Sequence, residues 1–288
     1  MDHSLKILVE RAEQIGIPEA ARKQEIKNSG TSAEIINARM KEALGIMRQS
    51  AEKGFDPALR SMSGMTGGQA AKLQSAVEKG ITSGGSYLGR AAARALAIAE
   101  CNASMGKIVA APTAGACGIL PAALLTAQED FGYTDDELRD ALLVAAAIGE
   151  VIAIRSSISG AQGGCQAECG SAAAMAAAAM VELMGGTPAQ CADACAIAIS
   201  SQLGLVCDPV AGLVEIPCIK RNVSGLMIAF SSADLALAGI EAKIPADECL
   251  DAMREVGDAL PSSLKETAGG GLAATPTGRK LQKQVFGE

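Results

Sequence analysis

The sequence predicts a mainly α-helical fold in which Ala-rich, buried helices are joined by Gly-rich loops. Helix-start signatures, a Ser or Thr followed three residues later by Glu or Gln, occur at four places, and each precedes a helical run. Alanine-rich runs recur and are apolar on nearly every side, which is typical of buried helices. Strand signals are scarce, because only 108–109 and 214–216 hold short β-branched clusters.

The helices can be followed along the chain from these start signatures. The signatures are Thr31/Glu34, Thr66/Gln69, Thr134/Glu137 and Thr187/Gln190. After the first, apolar residues from Ile36 to Ala51 repeat with the helical period and stop at Gly54. The last has Pro188 at the first helical position, where proline is favoured. The Ala-rich runs lie at 91–99, 141–154 and 172–184.

The density of charged residues divides the chain into two parts. Residues 1–58 are richer in charge than the remainder, and we expect them to form a helical segment at the amino end. Residues 59–288 are expected to form the Ala-rich helical domain that carries the functional residues.

Composition excludes several classes of function. The 288 residues include 32 acidic and 25 basic side chains, a net charge of −7, with four Phe, two Tyr and no Trp. Such a chain offers neither clustered cations for phosphates nor rings for stacked bases, so we expect no nucleic-acid partner. The one histidine, His3, stands at the amino end, so an internal His base or a Ser-His-Asp triad is excluded.

The same patterns predict a cytoplasmic protein without a membrane span. The first residues carry charges throughout and lack the apolar segment of a secretory signal. The longest uncharged stretch, 108–128, is interrupted by Pro112, Pro121 and two glycines.

Nine cysteines are many for a cytosolic chain, in which structural disulfides are rare. Cys191 and Cys195 lie four residues apart in a predicted helix, where packing in the core is expected. Three others adjoin Gly or Pro and are better candidates for cluster ligands, since irregular backbone can turn N–H groups toward sulfur: Cys165, Cys207 and Cys218. Cys169, four residues after Cys165, is a rival candidate for a cluster ligand on spacing alone. The chain has no CxxC motif that would identify which cysteines are ligands.

The Gly-rich loops and two lysines offer further chemistry. None of the loops matches a nucleotide-binding motif. The loop that contains Thr66 and Gly67 opens a predicted helix and could direct backbone N–H groups at a small carboxylate. Lys107 and Lys220 are candidates for a Schiff base with pyridoxal phosphate, but the scarcity of strands is against that chemistry.

Five segments together resemble the alpha chain of the iron-sulfur-dependent L-serine dehydratases, also called L-serine ammonia-lyases. They are GAQGGCQAECGSAAAMAAA (160–178), LGLVCDPVAGLVEIPCIKRN (203–222), NASMGKIVAAPTAGACGILPA (102–122), GGLAATPTG (270–278) and MTGGQAAKLQ (65–74). The resemblance runs nearly from end to end. It implies a [4Fe-4S] cluster held by Cys165, Cys207 and Cys218 with one iron open to substrate, and no pyridoxal phosphate. Cys169 stands where relatives often carry an apolar residue, so packing is implied for it.

The resemblance also implies the reaction, its substrate contacts and a partner. The open iron would act as a Lewis acid on the β-hydroxyl of L-serine, giving pyruvate and ammonia. The substrate contacts fall collectively on Ser63, Thr66, Gly67, Asn102, Thr113 and Asn222. Lys220 and Arg221 would bind the carboxylate or offset the charge of the cluster.

The resemblance assigns no catalytic base to this chain. Fused relatives carry a Ser-Ser-His-Thr type motif in an extra domain, so we expect a separate beta subunit to supply the base. They also include forms with a carboxy-terminal Cys, which the tail LQKQVFGE lacks, so the resting ligand of the open iron is left unassigned. Two alternatives stay open: an iron-sulfur L-cysteine desulfidase, and an iron-sulfur sensor without catalytic activity.

Overall fold

The prediction of a mainly helical fold is confirmed. A computed structural model describes residues 4–287, which form thirteen α-helices and no β-strand, and His3 lies outside the described residues. The helices are α1 (Leu5–Ala12), α2 (Ile17–Ser29), α3 (Ala33–Gly54), α4 (Gln69–Glu78), α5 (Gly85–Ala103), α6 (Ile119–Phe131), α7 (Asp135–Arg155), α8 (Gly160–Gly163), α9 (Ser171–Leu183), α10 (Pro188–Ser200), α11 (Cys218–Leu237), α12 (Ala246–Ala259) and α13 (Pro276–Phe286). Short 3-10 turns and one π-helical turn, Gln166–Gly170, lie between them. Neither 108–109 nor 214–216 forms a strand, and the one isolated bridge joins Cys207 to Lys265.

Helix α9 lies at the centre of the fold. It packs against α6, α7, α10 and α11, and every residue from Ser171 to Val181 is buried. Alanine makes this arrangement possible, because its small side chain lets several helices approach one axis closely. The run predicted at 172–184 is therefore the core of the molecule.

The helix-start signatures have mixed outcomes. Thr134 and Thr187 cap α7 and α10 in complete capping boxes, as predicted. Thr31 is not a cap, since Ser32 accepts the hydrogen bond from Ile35 N–H.

The signature at Thr66/Gln69 is also wrong, because a distant carboxylate replaces the local cap. Gly68, in the left-handed conformation, precedes α4. The N–H groups of Gln69 and Ala70 donate to the buried carboxylate of Glu100 at 2.9–3.1 Å. The anion site predicted at this helix start is thus filled by a side chain of the protein itself.

The amino-terminal segment packs directly on the Ala-rich helices. Leu5, Ile17, Leu44 and Met47 belong to the same hydrophobic core as α6, α7 and α9. The boundary between 58 and 59 stays a prediction. Within residues 4–287, none of the helices has the length and apolarity that crossing a membrane requires.

Gly54, the last residue of α3, also allows this helix to pack closely against α5. A Cβ atom at this position would lie 1.8 Å from the carbonyl oxygen of Ala97, so the glycine lets α3 and α5 touch backbone to backbone. Gly45, in the same helix, has open space around it.

We expect Gly54→Ala to lower the free energy of unfolding by about 3 kcal/mol, because α3 and α5 must separate. Gly45→Ala is the matched control and should raise it by about 0.5–1 kcal/mol, since alanine is the better helix former. Urea unfolding of both variants checks this. Equal effects of the two substitutions would contradict the close approach at Gly54.

Candidate functional site

The three cysteines predicted as ligands lie close together. Cys165 follows Gly164, whose φ is +74°, and leads into the π-helical turn before α9. Cys207 lies in an extended segment, and Cys218 is the first residue of α11. All three are buried. Burial raises the pKa of Cys207, and the negative charges of Cys165 and Cys218 add to that shift, which reflects the proximity of the three thiols.

Cys165 differs electrostatically from the other two. Burial raises the pKa of Cys218 to about 12. In contrast, a hydrogen bond with Cys169 lowers the pKa of Cys165, and the positive charge of Arg221 lowers it further. The Sγ atoms of Cys165 and Cys169 are 3.4 Å apart, so the competing cysteine lies at the site rather than away from it. Its burial and this contact fit a packing role without testing the ligand assignment.

The remaining cysteines are buried away from this group of thiols. Burial raises the pKa of Cys117 to about 12, and it also raises the pKa values of Cys191 and Cys195. Lys107 and Lys220 are both exposed, so neither has the desolvated surroundings that a Schiff-base lysine needs.

Arg221 joins the thiols to the loop at 269–275. Its guanidinium donates to the backbone oxygen of Val206 at 2.8 Å and to Asp208 Oδ1 at 2.7 Å. Asp208 in turn accepts the backbone N–H of Leu272 at Oδ2, at 2.7 Å. Gly271 has φ +56°, and a Cβ there would lie 2.3 Å from Asp208 Oδ2. Only glycine therefore fits where this loop crosses the Cys207 segment.

Glu168, which the sequence analysis did not single out, lies beside the thiols. A Cβ on Gly160 would lie 2.7 Å from its Oε2 and 3.0 Å from the Sγ atom of Cys207. The carboxylate and the thiol thus pack closely against Gly160, where a larger residue would collide with both. Burial raises the pKa of Glu168, the adjacent Thr113 hydroxyl opposes the shift, and the charge of Glu266 adds to it.

Two of the predicted substrate residues hold a second buried carboxylate. Ser63 and Thr66 donate from their hydroxyls to Oε2 of Glu215, at 2.9 and 3.0 Å. Glu215 lies three residues before Cys218 and is only 5% exposed. These bonds fasten the loop at 61–68 to the segment that carries the third cysteine. Gly67 permits the turn of this loop, since a Cβ there would lie 2.2 Å from the oxygen of Leu59.

The other predicted substrate residues surround the turn Ala114–Ala116. Asn102 donates to the oxygen of Ala114 at 3.1 Å. Asn222 donates to the oxygens of Gly115 and Cys218 at 2.8 and 3.0 Å, and it accepts the N–H of Gly118. Thr113 begins the turn, and its hydroxyl is buried without a well-aligned hydrogen-bond partner.

Contacts therefore link four of the six predicted substrate residues, Ser63, Thr66, Thr113 and Asn222, to the cysteine segments. Asn102 contacts the turn at Ala114, and Gly67 shapes the loop at 61–68. Asn222 uses both ends of its amide within the chain, which makes it a brace between the turn and α11. The sequence did not predict Glu168 and Glu215 as site residues, because a single carboxylate forms no repeating pattern that would mark it. Their nearness to candidate cysteines, within GCQAE and VEIPC, was the available signal.

The donor set is chemically distinctive. In the described part of the chain, no three His, Cys, Asp or Glu side chains are arranged around a single metal ion. Three thiols contributed by two helix starts and one extended segment, with a guanidinium beside them, suit a larger group ligated by thiolates, such as an iron-sulfur cluster.

Comparison with known proteins connects this site to an enzyme family. The family model described as serine dehydratase alpha chain matches residues 12–273. The probable L-serine dehydratase alpha chain of Bacillus subtilis (strain 168) is 47% identical over 289 residues, which cover 100% of this chain and 96% of the relative. The L-serine dehydratase alpha chain of Peptoniphilus asaccharolyticus is 45% identical over 274 residues, covering 95% and 94%.

L-serine dehydratase 2 of Escherichia coli (strain K12) is 44% identical over 188 residues, covering 62% of this chain and 40% of the relative. A helical protein with relatives of this kind is an enzyme of the lyase class. The chain belongs to the serine dehydratase alpha chain family.

We expect Gly271→Ala to free the loop at 269–275 from Asp208 and to cost about 2 kcal/mol, because alanine is strained in the left-handed conformation and also collides with the carboxylate. Limited proteolysis should then cut this loop faster, and the melting temperature should fall. Gly269→Ala is the control, since its Cβ would lie 3.2 Å from the Thr267 hydroxyl and at ordinary contact distances of 3.6 and 3.7 Å from Ser263. Unchanged proteolysis of Gly271→Ala would show that the loop does not depend on this crossing.

Proposed function

We propose that this chain is the alpha subunit of a cytoplasmic L-serine ammonia-lyase that converts L-serine to pyruvate and ammonia. The observation that carries the proposal is the contact between the segments of Cys165, Cys207 and Cys218. Gln166 N–H donates to the oxygen of Leu205 at 2.9 Å, and Arg221, on the helix that Cys218 begins, donates to the oxygen of Val206 at 2.8 Å. Family membership supports the reaction, and the names of the relatives support the substrate.

In this proposal the three cysteines hold a [4Fe-4S] cluster. When bound, the cluster supplies a Lewis acid for the departure of the β-hydroxyl of serine. Cys165 is prepared for ligation, because a lowered pKa favours the thiolate that binds metal. Arg221 offsets part of the negative charge of the thiolates, and its bonds to Val206 and Asp208 hold it there.

The remaining residues of the site orient and enclose the substrate. Asn222 and Asn102 fix the turn at Ala114–Ala116, so the Thr113 hydroxyl stays beside Glu168. The hydroxyls of Ser63 and Thr66 lie on the neighbouring loop, oriented by Glu215. Enclosure by these loops excludes water and so strengthens polar contacts with a small zwitterion.

Removal of the α-proton of serine needs a base, and no residue of this site is assigned that role. We propose that a beta subunit supplies it. The relatives that cover this chain nearly in full are named alpha chains, whereas the Escherichia coli relative, which lacks that label, extends well beyond the matched region.

Single changes of Cys165, Cys207 or Cys218 to Ala should abolish both the cluster and the activity, because each removes one of three thiolate ligands. The measurements are iron content, visible absorbance after anaerobic reconstitution, and pyruvate release from L-serine. Cys195→Ala, in the core, is the control and should keep both properties, and we expect the same of Cys169→Ala. If Cys169→Ala loses iron while Cys165→Ala retains it, the ligand assignment is wrong.

The reconstituted chain should release pyruvate from L-serine only with its beta subunit present, since the base lies on that subunit. Assays of the alpha chain alone, the beta chain alone and the mixture check this. Full activity of the alpha chain alone would place the base within it. Sulfide release from L-cysteine in preference to pyruvate from serine would favour the desulfidase, and a loaded complex inert toward both would favour the sensor.

A further inference from the structure

Two methionines are exposed side by side at the edge of the site. Met62 is 75% exposed and Met105 is 79% exposed. The N–H of Met62 donates to the oxygen of Ala103 at 3.1 Å, so the loop at 61–68 lies against the end of α5. Together Met62 and Met105 form a methionine patch. Flexible, polarisable methionine side chains are common on surfaces that bind other proteins.

The backbone holds Met105 in a conformation that costs free energy. Its φ is +59°, in the left-handed region that favours glycine. The turn that ends α5 has two backbone hydrogen bonds, from Met105 N–H to the oxygen of Asn102 and from Gly106 N–H to the oxygen of Cys101. Helices commonly place glycine at the left-handed position, but here the glycine comes one residue later. The strained position therefore carries an exposed apolar side chain where glycine would serve the fold better, which indicates a function for that side chain.

Three exposed cations border the methionine patch. Arg60 and Lys107 each stand two residues from one of the methionines. Lys53 approaches from α3, because a Cβ on Gly106 would lie 3.2 Å from its Nζ atom. In the part of the chain that the structure describes, none of the three cations forms an ion pair.

Two acids, Glu52 and Asp56, lie in the same stretch of chain as these cations. The carboxylate of Asp56 is used locally, since it accepts the N–H of Ala58 at 2.8 Å. The border of the patch thus keeps a small positive excess on a chain whose net charge is −7. An acidic partner would be repelled by much of the molecule and attracted here.

The methionine patch adjoins two loops that carry predicted substrate residues. Met62 precedes Ser63, whose hydroxyl donates to Glu215 Oε2 at 2.9 Å. Met105 lies in the turn that begins at Asn102, whose amide is bonded to the loop before α6. A protein that covers the two methionines therefore lies against the loops of the site.

A second group of exposed apolar side chains lies far from the site. Leu235, Ile240 and Ile244 follow one another at the carboxyl end of α11 and just beyond it. The 20 residues of α11 span about 30 Å, and Cys218 stands at the other end of the helix. This group is therefore a suitable reference surface for the patch.

We propose that the beta subunit docks on the methionine patch, through an apolar pocket rimmed by acidic side chains. This inference rests on the proposed function and deepens it by naming the surface that receives the subunit. The centre of a protein interface is enriched in apolar side chains and methionine, and its rim is polar. Opposite charges across the rim speed association and fix the orientation of the partner. A subunit seated here lies beside the loops of Ser63 and Asn102, where a base from another chain is needed.

The test measures binding of the beta subunit to the anaerobically reconstituted alpha chain. Met62→Glu and Met105→Glu each place a negative charge in the centre of the patch, opposite the acidic rim of the partner. Each should raise the Kd about 10- to 100-fold, the range for the loss of a central interface residue. Ile244→Glu is the matched control, because it makes the same change at a remote exposed residue, and it should change the Kd less than about twofold.

Pyruvate release as a function of beta-subunit concentration gives a second measurement of docking. In Met62→Glu and Met105→Glu the half-maximal concentration should rise by the same factor as the Kd, and the rate at saturation should match that of the wild type. A lower rate at saturation with an unchanged half-maximal concentration would place these residues in the chemistry and overturn the docking role.

Met105→Gly separates docking from folding. Glycine relieves the left-handed conformation, so the melting temperature should be unchanged or higher. The lost side chain should still raise the Kd about fivefold or more. A lower melting temperature with an unchanged Kd would show that Met105 serves the fold, and that result overturns the inference.

The cations are tested by the double variant Lys53→Glu with Lys107→Glu. Its association rate constant should be about tenfold lower than that of the wild type at low ionic strength, and the difference should shrink in 0.5 M salt as charges are screened. An association rate equal to that of the wild type at low salt overturns the acidic rim.

Three binding results overturn the proposed surface. They are an unchanged Kd in both glutamate variants, an equal loss in Ile244→Glu, and a wild-type alpha chain that does not bind the beta subunit. Self-association of the alpha chain that the glutamate variants abolish, with binding of the beta subunit intact, would assign the patch to a second copy of this chain instead. Iron content and absorbance show that each variant carries its cluster. The proposed function fails separately, if the wild-type complex releases no pyruvate while the methionine variants still weaken binding.

Discussion

The close packing around α9 is the constraint on which the rest of the structure depends. A helix surrounded by α6, α7, α10 and α11 leaves no room for large side chains, and its residues from Ser171 to Val181 are accordingly small or flexible and buried. Close packing of this kind resists displacement, because moving one helix opens voids against several neighbours. It therefore gives the site a rigid base. The π-helical turn that carries Cys169 and Glu168 continues directly into the first turn of α9. The packing of α9 in the core therefore fixes the position of these two residues.

Around that base, the other parts of the site are joined by hydrogen bonds of single side chains rather than by secondary structure. Asn222 connects α11 to the turn at Ala114–Ala116, and Asp208 connects the Cys207 segment to the loop at 269–275. Glu215 connects the segment before Cys218 to the loop at 61–68. Each connector is buried, so the loss of one bond leaves a polar group unsatisfied and costs more than a surface bond. Irregular loops can be ordered in this way where no strand is available to order them.

The sequence predicted the helical class and the principal Ala-rich helices, because each depends on local pattern. The choice of the Gly- or Pro-flanked cysteines as ligands uses local pattern too and stays a prediction. The helical period, the capping residues and the Gly or Pro residues that interrupt regular backbone can each be recognised within a few residues of sequence. The wrong prediction of a helix cap at Thr66 shows the limit of local patterns. The backbone N–H groups at the start of α4 donate to Glu100, about thirty residues away in sequence. Glu168 and Glu215 were missed for the same reason. What distinguishes them is a neighbour distant in sequence, Thr113 for Glu168 and the hydroxyls of Ser63 and Thr66 for Glu215, and only the folded chain reveals that.

The charge balance of the site explains why an acidic environment can serve an anionic group. Thiolates ligated beside Glu168 and Glu215 would repel one another if they were left alone, and burial weakens the screening that water gives. Arg221 relieves part of this repulsion, but Asp208 shares its charge. The bonds of Arg221 to Val206 and Asp208 hold its guanidinium in place, and Asp208 also holds the loop at 269–275 through the N–H of Leu272. In the proposed function, the contacts that order this loop therefore also position the charge that offsets the thiolates.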